Sequence, residues 1–173
     1  MRFLVLLVIS SIMVFAVIEL PKSFQANFTQ TITNPKKKVI NYSGKVRFLD
    51  ESFLKWEYVE PTKKEVCTDG FELLVVDHDL EQVSAYLINK GFDLAKILKE
   101  AKIYKKNIYV AEHESKRYTI QLDSKGQLHS VAYFDNLDNK VQILFEDIKY
   151  GKSKLTMKDM QCNYPKTYDI IRD

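Results

Sequence analysis

The chain has 173 residues, a formal net charge of +3, 46% hydrophobic residues and 28% charged ones. This length suits one domain with its own core, and the mild charge argues against nucleic acid as a partner. Five Gly and four Pro exclude collagen-like and Pro-rich architectures. Ten Tyr and ten Phe favour a β-sheet, a large apolar cavity or both.

The first sixteen residues are nearly all apolar. Thirteen of them are hydrophobic, and Arg2 carries the only charge. This pattern is typical of a secretory signal peptide, which we predict is cleaved after Ala16. The alternative is a retained membrane anchor, but the apolar run ends near Ile18, short of the roughly 20 residues that a spanning helix needs. We expect residues 17–173 to form a single exported domain, without a lipid anchor because no Cys lies just after the apolar run.

The two cysteines are Cys67 and Cys162. An exported protein can join such a pair, and the bond would close a loop of about 95 residues. The sequence alone leaves a disulfide and two separate buried thiols both open, since it does not give the distance between them.

The segment after the leader has a spacing typical of an amphipathic helix. Phe24, Phe28 and Ile32 follow one another at intervals of four residues within 22–33. The spacing predicts a helix with one apolar face, ended by Pro35.

The apolar period then changes to two, which predicts a series of strands. An Asp69-Gly70 pair between them indicates a tight turn. The alternating positions of this first half are Val46, Phe48, Leu54, Trp56, Tyr58, Phe71, Leu73 and Val75. Leu74 and Val76 are apolar as well, which favours a strand covered on both faces.

One helix interrupts the strands. Residues 92–101 place Leu94, Ile97 and Leu98 on one face, whereas the pattern of 80–88 fits either a strand or a helix. The second half alternates again, as at Tyr118 and Ile120, and reads as a meander of strands. These patterns predict a mainly β fold with short α-helices, arranged as a strongly curved sheet or open barrel.

No catalytic motif is present, whether for nucleophilic, phosphate-binding, dinucleotide-binding or zinc chemistry. We interpret Asp77-His78-Asp79 as a polar loop, because no second cluster offers the remaining ligands of a metal site. The sequence therefore nominates no catalytic residue, no metal site and no cofactor. A protein that binds an apolar ligand is favoured over an enzyme.

Several segments, in this order, resemble the LolA-type outer-membrane lipoprotein carriers. The quoted matches are FQANFTQT at 24–31, LKWEY at 54–58 with Pro61, DG at 69–70 followed by DHDLEQV at 77–83, and the closing stretch 164–171. They extend over nearly the whole chain after the leader.

The resemblance implies an unclosed antiparallel β-barrel with a helical lid over an apolar cavity, and a strand at 80–88. It also implies a periplasmic chaperone, with acylated lipoproteins as cargo. The partners would be an inner-membrane lipoprotein-releasing ABC transporter and, if present, an outer-membrane acceptor. We expect a monomer with no nucleic-acid partner. The alternative is a periplasmic lipid- or peptide-sensing regulatory module of the same fold.

With this resemblance, the apolar positions above become candidates for the acyl-chain cavity and its lid. They are Phe24, Phe28, Ile32, Val46, Phe48, Leu54, Trp56, Tyr58, Phe71, Leu73, Val75, Leu94, Ile97, Leu98, Tyr118 and Ile120. One position departs from the family, whose members often have a lid-latching Arg six residues before the strand tryptophan. This chain has Asp50 there, and an ionised carboxylate donates no hydrogen bond. Arg47 lies three residues earlier, on the opposite face of a regular strand. Either the latch differs in this chain or apolar contacts alone hold the lid, and no latch residue is assigned.

Overall fold

The computed structural model describes residues 18, 21–50, 52–87, 94–151 and 154–172. The predicted signal peptide therefore lies outside the described residues. Twelve strands and two short helices occupy the described part of the chain. In chain order they are β1 Ser23–Thr33, β2 Val39–Leu49, β3 Phe53–Glu60, β4 Lys64–Thr68, β5 Glu72–Asp77, β6 Gln82–Leu87, α1 Leu94–Glu100, β7 Lys102–Lys105, β8 Ile108–His113, β9 Lys116–Leu122, β10 Leu128–Phe134, β11 Lys140–Tyr150, α2 Met157–Met160 and β12 Asp169–Arg172.

The strands form one unclosed, curved sheet in the order β12-β6-β5-β4-β3-β2-β1-β11-β10-β9-β8-β7. All neighbouring pairs are antiparallel except β12, which runs parallel to β6 at one edge. The predicted mainly β architecture with a helix over a curved sheet is confirmed. The strand at 80–88 is confirmed as β6 and the helix at 92–101 as α1.

The predicted helix at 22–33 is wrong, because these residues form β1 between β2 and β11. A spacing of four residues fits a period of two as well as one of 3.6, so Phe24, Phe28 and Ile32 share a face in either structure. The β-branched residues of TQTIT at 29–33 favour the strand. These side chains therefore belong to the sheet and not to its lid.

The face of the sheet that carries Phe28 and Trp56 is here called the inner face, and the opposite one the outer face. Register alternation places Phe24, Phe48 and Leu54 side by side on the inner face. The buried residues of α1 join them in one hydrophobic cluster that reaches across to β8, β9, β10 and β11. The helix therefore covers part of the inner face and contributes to the core.

Candidate functional site

Aromatic side chains from three strands meet at the centre of the inner face. The Phe28 ring stands edge-on to Trp56, with centroids 4.8 Å apart, and to Tyr58, with centroids 5.1 Å apart. Trp56 in turn lies 6.0 Å from Phe145 on β11. Such tilted and edge-on pairs gain about 0.5–1.5 kcal/mol each beyond the area they bury.

Gly44 makes room for this arrangement. It pairs with Phe28 on one side and with Tyr58 on the other. A Cβ atom at this position would collide with the Glu57 carbonyl oxygen and lie 3.0 Å from the Phe28 ring. The absence of a side chain here lets the two neighbouring rings approach each other across β2.

The polar atoms of this aromatic layer have partners. Tyr58 Oη donates a hydrogen bond to Gln30 Oε1 over 3.1 Å, and Gln30 is itself buried. Burial raises the pKa of the Tyr58 hydroxyl well above its usual range, and the nearby Tyr133 and Tyr42 add to the shift. Tyr58 therefore contributes an apolar ring and a neutral, satisfied hydroxyl to the inner face.

A second aromatic pair lies on the far half of the sheet. The rings of Tyr118 and Tyr133 have centroids 5.0 Å apart. Burial, reinforced by Tyr118 and by the Asp135 carboxylate, raises the pKa of Tyr133 to about 12. The inner face is thus lined by neutral aromatic side chains on both sides of β1.

The helix α1 is held mainly by apolar contacts. Leu94, Ala95, Ile97 and Leu98 are buried, whereas Lys96, Lys99 and Glu100 on the opposite side are exposed. At its C-terminal end, Glu100 Oε2 lies 3.4 Å from Nδ1 of His113 at the end of β8. The helix is only seven residues long, so its place on the sheet depends on these contacts more than on its own stability.

The inner face is less well covered over β5 and its neighbours. Leu73 and Val75 point to the same side as Val66 on β4, and all three are half-buried. Tyr86 of β6, opposite Leu73, is 39% exposed. Val66 also packs against the buried cluster, so an apolar surface continues from the closed core to this open part.

Thirteen of the sixteen predicted cavity residues belong to the hydrophobic cluster or pack against it. Ile32 and Tyr58 are its partly buried members among them. Leu73 and Val75 lie on the open part of the inner face. Phe71 does not join them, because it lies in the turn before β5 with 81% of its surface exposed.

The outer face carries a second packed region, whose covering segment was not predicted from the sequence. The chain after α2 crosses β3, β4 and β5, and Cys162 forms a disulfide with Cys67, their Cα atoms 5.7 Å apart. Val76 and Val83 are fully buried on this face. The apolar Leu74 and Val76, which alternate with the inner-facing residues of β5, were the signal for a second covered face.

The positions considered for a lid latch or a metal have other roles. Asp50 is exposed in the turn between β2 and β3. Arg47 lies on the outer face, away from α1, where Nη1 is 2.7 Å from Glu57 Oε2. Asp77 pairs with Lys64 at 2.8 Å, and His78 Nδ1 lies 3.2 Å from the Tyr168 hydroxyl.

No helix within the described ranges has the length and apolar character to cross a bilayer. A group of three possible ligands, Glu65, Cys67 and Cys162, lies together on the outer face, but its two sulfur atoms are bonded to each other. Those cysteines therefore supply no thiolate for a metal.

The comparisons with known proteins agree on one family. Residues 20–156 match the family model described as outer membrane lipoprotein carrier protein LolA. A Campylobacter jejuni protein named outer-membrane lipoprotein carrier protein is 34% identical over 151 residues, which cover 87% of this chain and 86% of that one. A Wolinella succinogenes protein of the same name is 30% identical over 147 residues, which cover 85% of this chain and 86% of that one.

Two solved structures are similar in fold at 12% sequence identity. A LolA superfamily protein from Nitrosomonas europaea has a TM-score of 0.51 over 84% of this chain and 93% of its own. An uncharacterized conserved protein from Thermus thermophilus has a TM-score of 0.57 over 89% of this chain and 92% of its own. The fold of this chain is thus similar to the folds of these two proteins. By family model and by curated relatives, the chain belongs to the LolA family of outer-membrane lipoprotein carrier proteins.

Proposed function

We propose that the protein is a periplasmic carrier that binds the acyl chains of lipoproteins against the inner face of its sheet. It takes them from the inner to the outer membrane as a non-covalent chaperone, with no bond made or broken. One observation supports this beyond family membership. The half-buried apolar residues Val66, Leu73 and Val75 continue the buried core into an open surface on the side of the sheet that α1 covers.

The free energy of acyl-chain burial explains why the inner face is apolar. Each buried CH₂ group contributes about 0.8 kcal/mol, so one 16-carbon chain gains on the order of 12 kcal/mol before costs are subtracted. A surface that bound a chain with all of this energy would release it too slowly to serve as a carrier.

The helix α1 supplies an opposing cost. A chain that enters the closed part of the core displaces Leu94, Ile97 and Leu98, which are at most 1% exposed. Exposing those side chains costs about 1.5–3 kcal/mol each, which offsets part of the gain from the bound chain. Net affinity then stays low enough for transfer to an acceptor that binds the chain more tightly.

The partners of this cycle are acylated lipoproteins, an inner-membrane lipoprotein-releasing ABC transporter as donor, and an outer-membrane acceptor if one exists. The proposed carrier acts as a monomer after export, with residues 1–16 removed.

Isolation from the native periplasm tests the function. The protein is purified without detergent, and its N-terminus and bound material are identified by mass spectrometry. We expect acylated lipoproteins in the complex and a chain that begins after Ala16. Depletion of the protein should also leave lipoproteins in the inner membrane. A ligand-free protein, together with unchanged lipoprotein sorting after depletion, would contradict the proposal.

A further inference from the structure

Two hairpins at one end of the sheet place exposed apolar side chains beside exposed lysines. They are the β1–β2 hairpin, with its turn at 34–38, and the β10–β11 hairpin, with its turn at 135–139. The exposed large apolar residues are Val39 at 54%, Ile40 at 50%, Phe134 at 61% and Leu137 at 76%. We call these two hairpin ends the lysine–apolar rim, and no part of the carrier proposal uses it.

The register of the sheet brings the two hairpins together. Thr33 pairs with Val39 on one side and with Lys140 on the other, and Lys140 pairs with Phe134. Val39, Thr33, Lys140 and Phe134 therefore form one row across four adjacent strands. With neighbouring strands about 4.8 Å apart, this row spans only about 15 Å.

Both turns are fixed by the same kind of side-chain contact. Asn34 Oδ1 accepts a hydrogen bond from the Lys38 amide, and Asp135 Oδ1 accepts bonds from the amides of Leu137 and Asn139. The backbone of Lys37 adopts a positive φ of 64° within the first turn. The hydrogen-bonded turns thus hold Leu137 at the end of one hairpin and Lys36, Lys37 and Lys38 at the end of the other.

The charge of the rim is positive. Lys36, Lys37, Lys38 and Lys140 are all exposed, and none of them has a carboxylate oxygen within salt-bridge distance among the described residues. Asp135 and Asp138 are the two acidic residues of these turns. The oxygens of Asp135 accept bonds from the amides of its own turn and from the Asn139 side chain.

We infer that the lysine–apolar rim docks the protein on an anionic lipid surface. The lysines contact the headgroups, and Leu137 and Phe134 enter the boundary between headgroups and acyl chains. Basic residues near an anionic membrane each strengthen binding by about fivefold, and apolar side chains at the interface add to this. A lipid interface suits this shape, because projecting tips insert into it without a complementary groove on a partner.

Vesicle binding by the ligand-free, exported protein tests the inference. The probes are vesicles of phosphatidylcholine alone and of phosphatidylcholine mixed with phosphatidylglycerol. We expect binding to the mixed vesicles that weakens as salt is added, and little binding to the neutral ones. Changing Lys36, Lys37 and Lys38 together to Gln should weaken binding on the order of 100-fold at low salt. The double change Leu137→Ser and Phe134→Ser should weaken it at least tenfold at every salt concentration.

Matched controls come from the opposite end of the sheet. Lys102, Lys105 and Lys106 on the β7–β8 hairpin are also exposed, so their joint change to Gln removes the same charge. Phe71→Ser removes one apolar residue that is more exposed than Leu137 or Phe134. Both controls should keep at least a third of the wild-type affinity. All variants should keep the wild-type unfolding midpoint and fatty-acid binding, which separates this inference from the carrier proposal.

Three results would overturn the inference. The first is no binding to the anionic vesicles by the wild-type protein. The second is an equal loss in the β7–β8 control, which would mean that binding does not depend on the rim. The third is tight, rim-dependent binding to an acidic polypeptide with no binding to vesicles, which would assign the rim to a protein partner.

Discussion

Lys55 Nζ lies 2.8 Å from Glu65 Oε2 on the outer face of the sheet, and it donates a hydrogen bond to the Gln161 carbonyl, also over 2.8 Å. The two side chains are only 5% and 13% exposed. Glu65 also accepts a hydrogen bond from the Asn163 amide. This ion pair therefore joins β3 and β4 to the segment that follows α2.

Lys55→Ala should destabilise the protein by about 3 kcal/mol, because it removes the lysine ammonium from beside the largely buried Glu65 carboxylate. The double variant Lys55→Met, Glu65→Leu should recover most of this loss, since apolar side chains of similar size carry no unpaired charge. Urea unfolding of the single and double variants measures both effects. Equal losses in the two proteins would show that packing, and not the unpaired charge, accounts for the destabilisation.

The disulfide between Cys67 and Cys162 fastens the same segment. It closes a loop with a sequence separation of 95, and the chain-entropy model assigns such a bond about 4–5 kcal/mol. Replacing both cysteines by Ala should lower the free energy of unfolding by about 4–5 kcal/mol. Unfolding of the wild-type protein with and without a thiol reductant provides the comparison. A variant as stable as the oxidised protein would contradict the expectation.

Gly44→Ala should destabilise the core by about 1–3 kcal/mol, because the added methyl group meets the Glu57 carbonyl oxygen and the Phe28 ring. The expected sign is a loss at any pH, since no charged group is involved. Thr29→Ala is the control, as this residue neighbours Phe28 on β1 but points to the outer face. Chemical unfolding and tryptophan fluorescence of Trp56 measure the change, and a neutral Gly44→Ala would show that the strands move apart easily.

The inner-face tyrosines should make the protein sensitive to high pH. Burial raises the pKa of Tyr133 to about 12 in the folded protein, above the value of about 10 in an unfolded chain. Its contribution to stability is therefore complete below about pH 10 and is lost as the pH rises toward 12. Tyr133→Phe should reduce the fall in stability between these values, as measured by unfolding at a series of pH values. A variant with the same pH profile as the wild type would show that Tyr133 titrates normally.

Much of the fold follows from period-two alternation, which identified β2, β3 and most of the second half. The prediction of a helix in place of β1 was wrong for a definite reason. Phe24, Phe28 and Ile32 are four residues apart, which is two periods of a strand and close to one turn of a helix. Ala26 and Gln30, the intervening inner-face residues, are small or polar and gave no apolar signal. Sequence period alone does not separate the two structures in such a case.

The outer face was harder to predict, since it depends on contacts distant in sequence. Lys55 and Gln161 are 106 residues apart, and nothing local marks Lys55 as buried. Leu74 and Val76 did indicate a strand covered on both faces. The covering segment follows α2, whose buried residue is Met160, and neither part has a periodic pattern to identify it.

The most direct test of the carrier proposal compares two neighbouring residues of β5. Leu73 points to the inner face and Leu74 to the outer face, and both are half-buried. Binding of a fluorescent fatty acid to the exported, delipidated protein is measured for Leu73→Gln and Leu74→Gln, with unfolding midpoints as the check on folding. We predict at least a tenfold loss of affinity for Leu73→Gln and less than a threefold change for Leu74→Gln. Unchanged binding by a folded Leu73→Gln, or an equal loss in both variants, would contradict acyl-chain binding at the inner face.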